Sequence, residues 1–295
     1  MQEGLSESYS DSYRGWGSGL LGVVIFSGSM PATRLAVLGI SPSLMTSARA
    51  LIAGVLAMAL LGLARQPLPR GSQWRSLWVV AACCVLGLPL LSGLALEHIT
   101  AARSLVFMAL LPLSTAIFGV LRGKERPSPA FWGFAVVGAL AVVGFALGRD
   151  AEASALGDTL MVLAIVVCGL GYAEGAVLTR AMGGWQVICW ALVLSAPFAL
   201  IGTIAFWPEA GIAGIGRSSW LGLGYVSIFS MLLGFVFWYR GLSLGGIARV
   251  GQLQLLQPFL GLGLAAALLH ESVAPAMLVA TVVVMGCVIG AKRFA

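Results

Sequence analysis

The chain has 295 residues, of which 59% are hydrophobic and only 9% are charged, whereas roughly 25% of the residues in an ordinary soluble domain are charged. Such a composition cannot cover a surface that faces water, so it excludes a soluble globular protein and favours a polytopic membrane protein. The net charge of +6 does not indicate nucleic-acid binding, because the basic residues lie at the ends of apolar segments and form no basic face.

Apolar segments with few or no charged residues follow one another along the chain, and each has about the 20 residues that cross a bilayer. Their limits are near 16–38, 41–64, 76–96, 102–121, 129–148, 155–179, 184–206, 218–239, 248–269 and 273–291. We therefore predict an all-α fold with ten transmembrane helices and short tails at 1–14 and 292–295. The connections are too short for an extramembrane enzyme domain.

The distribution of Lys and Arg predicts the orientation, because short cytoplasmic loops carry the excess of these residues. With the N-terminus in the cytoplasm, twelve of the 17 basic residues lie at cytoplasmic helix ends. We expect both termini to be cytoplasmic and the protein to lie in the inner (plasma) membrane.

The two halves of the chain are related by an internal repeat at a constant offset of 146 residues. Residues 102–144 and 248–290 are identical at 11 of 43 positions, where unrelated apolar segments of this composition share roughly a tenth. The rare residues that recur are Arg103 as Arg249, Pro112 as Pro258, and Glu125 as Glu271. The repeats extend over 15–148 and 155–291. A unit of five spans has an odd number of crossings, so the second unit is predicted to be inverted, an arrangement typical of alternating-access transporters.

Each repeat ends in the pattern A-R-x8-P-x12-E, followed by P-A and a distal Gly. This pattern resembles the EamA unit of the drug/metabolite transporter superfamily, and the short loops and aromatic-rich eighth span are most similar to aromatic-amino-acid exporters of the YddG type. The resemblance implies a central cavity between spans one to four and their mates six to nine, with spans five and ten at the periphery. It also implies export of amino acids, including aromatic ones, and efflux of drugs or other metabolites is the alternative.

Two charged residues interrupt apolar spans, where each costs about 2.5–3.5 kcal/mol on insertion scales. Glu174 is a candidate site for a substrate ammonium or a proton, and the alternative is a structural ion pair with an arginine such as Arg249. Arg49 is a candidate site for a substrate carboxylate; alternatively, it ties helices together through backbone carbonyls. The arginines near span ends are expected to snorkel to the interface and to be structural. They are Arg34, Arg103, Arg180 and Arg249.

Polar and helix-breaking residues supply further candidates. Gln254 and Gln257 share a helix face, and Pro258 and its mate Pro112 each remove a helix hydrogen bond, as at the interrupted helices of transporter sites. A packing kink is the other explanation for both prolines. Small residues near the middle of the first span, with Ser27 as the binding candidate, favour either close helix packing or room for a ligand. The candidate aromatic walls are Tyr172, Trp190, Tyr225 and Trp238.

Enzymatic function finds little support in the sequence. The two histidines, His98 and His270, lie at outer span ends outside any metal or nucleophile motif. We expect Glu125 and Glu271 to organise the turn into the next helix rather than to contact the substrate. The sparse polar residues also disfavour a passive channel. We expect no cofactor, no metal and no catalytic residue; the partners are a small-molecule substrate and the lipid bilayer. Coupling to protons is one option, and the chain acts as a monomer or a homodimer.

Overall fold

The computed structural model describes residues 2–123, 128–146, 154–209, 211–245 and 251–293. Within these ranges the chain forms ten helices, several of them interrupted, and no strand. The helices are α1 (Gln2–Ser27 and Ser29–Val37), α2 (Pro42–Leu63), α3 (Gln73–Val80, Ala81–Gly87 and Leu88–His98), α4 (Ala101–Met108 and Leu111–Gly123), α5 (Pro129–Ala146), α6 (Ala155–Met182), α7 (Gly184–Ala205), α8 (Arg217–Gly224, Tyr225–Leu233 and Gly234–Gly245), α9 (Gly251–Leu256 and Gln257–Leu269) and α10 (Pro275–Arg293). The all-α fold predicted from the sequence is confirmed. Helix α1 begins inside the expected tail at 1–14.

Most of these helices are long and apolar enough to cross a membrane. Seven reach that length among the described residues, and the other three are shorter apolar helices at Pro129–Phe145, Leu253–Leu269 and Pro275–Gly290. Their outer surfaces are apolar as well: Val136, Val137 and Leu140 on α5 are 56%, 52% and 62% exposed. A continuous apolar surface of this kind is stable in contact with lipid and unfavourable in contact with water.

Helices that occupy equivalent places in the two repeats pack against each other in antiparallel fashion. In the α2–α7 pair, Gly54 of α2 lies against Ala196 of α7, and Ser47 of α2 lies against Gly202 of α7. In the α5–α10 pair, Gly138 of α5 lies against Cys287 of α10, and Phe134 of α5 lies against Gly290 of α10. In both pairs the residue numbers rise along one helix as they fall along its mate. Equivalent helices that run in opposite directions mean that the second repeat is inverted relative to the first.

Local details of the two repeats also correspond. Thr33 Oγ1 donates to Ser29 O at 2.7 Å, and its mate Thr179 Oγ1 donates to Gly175 O at 2.8 Å. A π-helical segment at Ala81–Gly87 in α3 has its counterpart at Tyr225–Leu233 in α8. The correspondence between the two repeats therefore includes irregular helix geometry, which a shared composition alone would not produce.

The breaks in α4 and α9 lie at repeat-equivalent positions just before the two prolines. Helix α4 is interrupted at Ala109 and Leu110, and α9 changes from a 3₁₀-helix to an α-helix between Leu256 and Gln257. Proline has no N–H, and its ring conflicts with the carbonyl four residues earlier. That is the physical reason why the regular α-helix begins at the residue before each proline.

One end of the molecule is fixed by charged residues that are buried. Arg103, in the first turn of α4, is 0% exposed and forms a two-pronged ion pair with Asp158 of α6. The guanidinium also lies over the Phe145 ring, 4.7 Å from its centroid. The expectation that Arg103 snorkels is therefore wrong, because Asp158 supplies the counter-charge inside the protein. Arg249 lies outside the described residues, as does the side chain of Arg180.

Glu271 holds the same end of the structure together. Its Oε1 and Oε2 accept from the backbone N–H groups of Ala101 and Ala102, at 3.1 and 2.8 Å. A carboxylate at a helix N-terminus satisfies unpaired N–H groups and is stabilised by the helix dipole. Glu271 thus caps α4 of the opposite repeat, in addition to preceding its own last helix. Its repeat mate, Glu125, lies outside the described residues.

Candidate functional site

A central cavity lies between the two repeats, with about 530 Å³ of space between its walls, including the part open to the outside. Among the described residues, α1, α2, α3, α4, α6, α8 and α9 contribute to it, whereas α5, α10 and also α7, which was expected to line it, do not. The lining residues are Phe26, Ser29, Met30, Arg49, Cys84, Leu88, Pro89, Ser92, Met108, Tyr172, Ser230, Met231, Phe235 and Gln257.

The lining places the cavity on the axis that relates the two repeats. Three pairs of residues separated by the repeat offset contribute a side chain from each half: Phe26 and Tyr172, Cys84 and Ser230, and Pro89 and Phe235. A space lined by both members of several such pairs must straddle the axis of the repeat. In inverted-repeat transporters the substrate site lies at this interface.

Irregular helix geometry borders the cavity. Cys84 belongs to the π-helical segment of α3, and Ser230 and Met231 belong to that of α8. Helix α1 is interrupted at Gly28, directly before the lining residue Ser29. Widened turns of the π type occur frequently at functional sites, since they redirect carbonyl groups away from the regular ladder.

Arg49 is the one charged residue in the described lining of the cavity. Its side chain, on α2, is 6% exposed, and Nη2 donates to Val226 O in the π-helical segment of α8 at 3.3 Å. Among the described residues Nε has no hydrogen-bond partner. Among the described residues, no carboxylate forms an ion pair with it. The guanidinium therefore retains hydrogen-bonding capacity and an uncompensated positive charge beside the cavity.

Neutral polar groups lie near this cation. Ser29 Oγ and Ser230 Oγ are 2.7 Å apart, which makes a hydroxyl pair between α1 and α8. Ser92 and Gln257 also line the cavity. Ser29 contributes to the wall, whereas the predicted Ser27 does not: Ser27 is 0% exposed and its Oγ donates to Val23 O at 2.7 Å. The two serines lie on either side of the interruption at Gly28, and they differ: Ser29 faces the cavity, whereas Ser27 is bonded to its own helix.

Aromatic rings make up one wall. Phe26 and Phe235 meet edge to face with centroids 5.0 Å apart, and Tyr172 meets Phe235 in the same way at 6.3 Å. Such T-shaped arrangements are favourable for aromatic rings, and their faces accept a further ring. Of the four predicted aromatic wall residues, Tyr172 lines this cavity, while Phe26 and Phe235 were not singled out from the sequence.

The other aromatic candidates lie elsewhere. Tyr225 Oη donates to Ile25 O at 2.8 Å, and the Tyr225 side chain fills the space beside Gly28 where α1 is interrupted. Trp238 is buried where α8 packs against Gly22 of α1. Trp190 packs edge-on against Trp74 with centroids 6.2 Å apart and lines a separate cavity at the end of α6.

The remaining candidates divide between the central cavity and its surroundings. Gln257 lines both the central cavity and a smaller adjoining one of about 300 Å³, which Gln254 and Pro258 also line. Glu174 is 5% exposed and is absent from the described lining of the central cavity. It follows Tyr172 by two residues, so it points to the far side of α6. The side chain of Pro112 lies outside the described residues.

Comparisons with known proteins agree with this architecture. A family model for EamA-like transporters matches the chain twice, over residues 14–147 and 155–291. The chain is 57% identical over 281 residues to the protein named "Uncharacterized transporter YdeK" from Bacillus subtilis (strain 168), with 95% of this chain and 98% of that protein covered. One crystal structure resembles the fold with a TM-score of 0.65 at 22% identity, covering 95% of this chain and 99% of that one. The two matches to one family, together with the two inverted five-helix units, show that this multi-pass membrane protein belongs to the EamA-like transporter family of the drug/metabolite transporter superfamily.

Proposed function

We propose that the protein is a secondary transporter that exports amino acids, including aromatic ones, by alternating access through the central cavity. The observation that carries the proposal is Arg49, a buried cation at the cavity wall with no ion-pair partner among the described carboxylates. Burying an unpaired charge costs several kcal/mol. A substrate carboxylate entering the cavity offsets much of that cost, because it pairs with the guanidinium through charged hydrogen bonds.

The rest of the lining suits the other parts of an amino acid. Hydroxyl and amide oxygens from Ser29, Ser230 and Gln257 supply neutral acceptors for an ammonium group. The wall formed by Phe26 and Phe235 offers apolar and aromatic surface to a side chain. A zwitterion with an apolar or aromatic side chain is therefore the substrate class that matches the charge and polarity of this cavity.

Efflux of drugs or other metabolites is the second candidate, and one observation favours it. Met30, Met108 and Met231 all line the cavity, and flexible, polarisable methionines adapt to ligands of different shape. The charge of Arg49 restricts this option, since it repels the lipophilic cations that many efflux proteins carry. The drug-efflux alternative is consequently limited to neutral and anionic molecules.

Topology and coupling belong to the same proposal. We expect all ten helices to cross the inner membrane, including the three shorter ones, because α4, the mate of α9, reaches spanning length. Both termini then lie in the cytoplasm, in agreement with the excess of Lys and Arg at that side. Coupling to a proton gradient is tested directly by measuring flux with and without one.

The test uses the purified full-length chain in proteoliposomes loaded with labelled phenylalanine, leucine or alanine. We expect Arg49→Lys to raise KM or lower efflux of the label per folded molecule by about tenfold or more, because Lys keeps the charge and loses the two-pronged geometry. Arg34→Lys is the matched control: Arg34 donates to Leu96 O and does not line the cavity. Phenylpropionate should compete with phenylalanine, and phenethylamine should not.

Three results would contradict the proposal in whole or in part. If Arg49→Lys and Arg49→Gln both transport labelled amino acids at the parent rate per folded molecule, Arg49 does not bind the substrate. If none of the amino acids is transported while neutral or anionic drugs are, the efflux alternative is correct. Transport of lipophilic cations in preference to both would refute the electrostatic argument.

A further inference from the structure

A second cavity lies away from the repeat axis, between the connection that joins α2 to α3 and the turn that joins α6 to α7. It has about 780 Å³ of space between its walls, including the part open to the outside. We refer to it as the vestibule. No described residue that lines it also lines the central cavity. Its lining combines amide, guanidinium and indole groups with two prolines, Pro67 and Pro69.

Hydrogen bonding in the vestibule is incomplete. Gln186 Nε2 donates to Gln66 Oε1 at 3.5 Å, but Gln186 Oε1 is buried and accepts no hydrogen bond from any described residue. Gly183, with φ of +89°, brings the chain against this amide: a Cβ there would lie 2.8 Å from Gln186 Cδ. A buried carbonyl oxygen without a donor is costly. A ligand that brings an N–H or O–H donor to Gln186 Oε1 removes that cost.

The charge of the vestibule is one-sided. Arg70 lines it with an exposed side chain, and no Asp or Glu is found in its described lining. Gln73 is held beside it, because Gln73 Oε1 accepts from Arg70 N at 2.7 Å. A guanidinium without a nearby carboxylate attracts anions and binds a carboxylate with two parallel hydrogen bonds.

The third feature is aromatic. Trp190 lines the vestibule and is 9% exposed, with its ring fixed edge-on against Trp74. A fixed indole ring provides a flat apolar surface for a ligand at little conformational cost. The cation, on the connection from α2 to α3, and the unsatisfied acceptor and the indole, both on the first turns of α7, thus lie around one space.

From this combination we propose that the vestibule is a second binding site, for small aromatic carboxylates that also carry an N–H or O–H donor. The carboxylate pairs with Arg70, the donor reaches Gln186 Oε1, and the ring packs on Trp190. This site is separate from the central cavity and does not depend on which cargo the protein transports. It would hold such a molecule at the membrane surface, beside the ends of α2 and α6.

Equilibrium binding to the purified full-length chain in detergent tests the chemistry, with indole-3-propionate, L-tryptophan and tryptamine as probes. We expect the two carboxylates to bind and tryptamine, which lacks the carboxylate, to bind at least about tenfold more weakly. Arg70→Gln should weaken binding of indole-3-propionate by about tenfold. Arg75→Gln is the matched control, since Arg75 is exposed on the first turn of α3 and does not line the vestibule.

Thiol labelling locates the site independently of the central cavity. The five native cysteines are buried, so a water-soluble maleimide reports on an introduced cysteine. Indole-3-propionate should slow labelling of Leu68→Cys, which lines the vestibule, and should not slow that of Arg75→Cys. The Arg49→Lys variant should show the same protection, which separates this proposal from the proposed transport function.

Several results would overturn the proposal. Equal binding of tryptamine and indole-3-propionate would remove the role of Arg70. Protection of Leu68→Cys that disappears in Arg49→Lys would assign the binding to the central cavity. Protection by vesicles of phosphatidylglycerol without any protection by the aromatic carboxylates would mean that the vestibule holds an anionic lipid headgroup.

Discussion

The buried ion pair between Arg103 and Asp158 offers a test of how the charged residues at this end of the structure stabilise it. The perturbation is Asp158→Asn, which keeps the size of the side chain and removes its charge. In the parent, Arg103 Nε donates to Oδ1 at 2.9 Å and Nη2 donates to Oδ2 at 2.7 Å. Both partners are buried, with side-chain exposures of 0% and 9%, so solvent cannot replace the lost charge.

The magnitude follows from these contacts. Hydrogen bonds to charged groups contribute about 1.5–3 kcal/mol each, and breaking a buried ion pair by removing one partner costs about 3–5 kcal/mol. The Phe145 ring keeps a cation–π contact with Arg103, which preserves about 0.5–2 kcal/mol of the interaction. We therefore expect Asp158→Asn to lower the free energy of unfolding by about 3 kcal/mol, near the lower end of the range for a broken buried ion pair.

Thermal unfolding followed by fluorescence size-exclusion chromatography measures the effect. At about 2–4 °C per kcal/mol for a domain of this size, Asp158→Asn should lower the Tm by about 6–12 °C, and Arg103→Met should lower it by at least as much. The double variant Arg103→Met with Asp158→Leu should recover most of the loss, because an apolar pair leaves no buried charge. Arg217→Gln, at an exposed arginine on the first turn of α8, is the control. A Tm within about 2 °C of the parent for Asp158→Asn, or no recovery in the double variant, would refute the reasoning.

Three further predictions concern single positions. Gly28→Ala should lower the Tm and the transport rate, because a Cβ there would clash first with the hydroxyl oxygen of Tyr225 and then with its Cζ at 2.8 Å. Tyr225→Phe in the same chain removes that hydroxyl and should restore part of both, and the absence of any restoration would mean that the clash is not the cause. Glu271→Gln should cost about 1 kcal/mol through a weaker helix cap and lower the Tm without changing transport per folded molecule. Glu174→Gln should leave the KM for phenylalanine within about twofold, since Glu174 lies outside the described cavity lining; a KM that rises tenfold in flux assays would instead place it in contact with the substrate ammonium.

The repeat made much of the fold predictable from the sequence. Rare residues that recur at one offset, such as Pro112 and Pro258, identified equivalent helices, and the odd number of spans in each unit determined their opposite orientation. Apolar segments of suitable length determined the helices themselves. These signals depend on neighbouring or regularly spaced residues, so they can be recognised in a single sequence. The prolines also indicated where α4 and α9 depart from regular geometry, because the missing N–H acts within four residues.

The partners of buried polar groups could not be predicted in the same way. Asp158 is 55 positions from Arg103, and nothing in the spacing links an acidic residue at the start of one span to an arginine at the start of another. The choice between Ser27 and Ser29 depends on helix rotation, and composition does not report rotation. The π-helical segment of α8 has no proline within four residues, and that of α3 contains none but is followed by Pro89, a signal that the sequence-based prediction did not use; these segments carry Cys84 and Ser230 into the cavity wall.

The two repeats share a backbone plan, but they differ in the charge that they place at the cavity. Arg49 on α2 has Ser195 as its repeat mate on α7, and Ser195 Oγ donates to its own helix at Ala191 O, 2.9 Å away. The cation therefore belongs to one repeat only. When an inverted-repeat transporter changes conformation, the halves exchange shapes while each side chain stays on its own helix. A carboxylate bound at Arg49 would consequently remain attached to the first repeat in both states, and the weaker polar groups of α8 and α9 would determine from which side it is released.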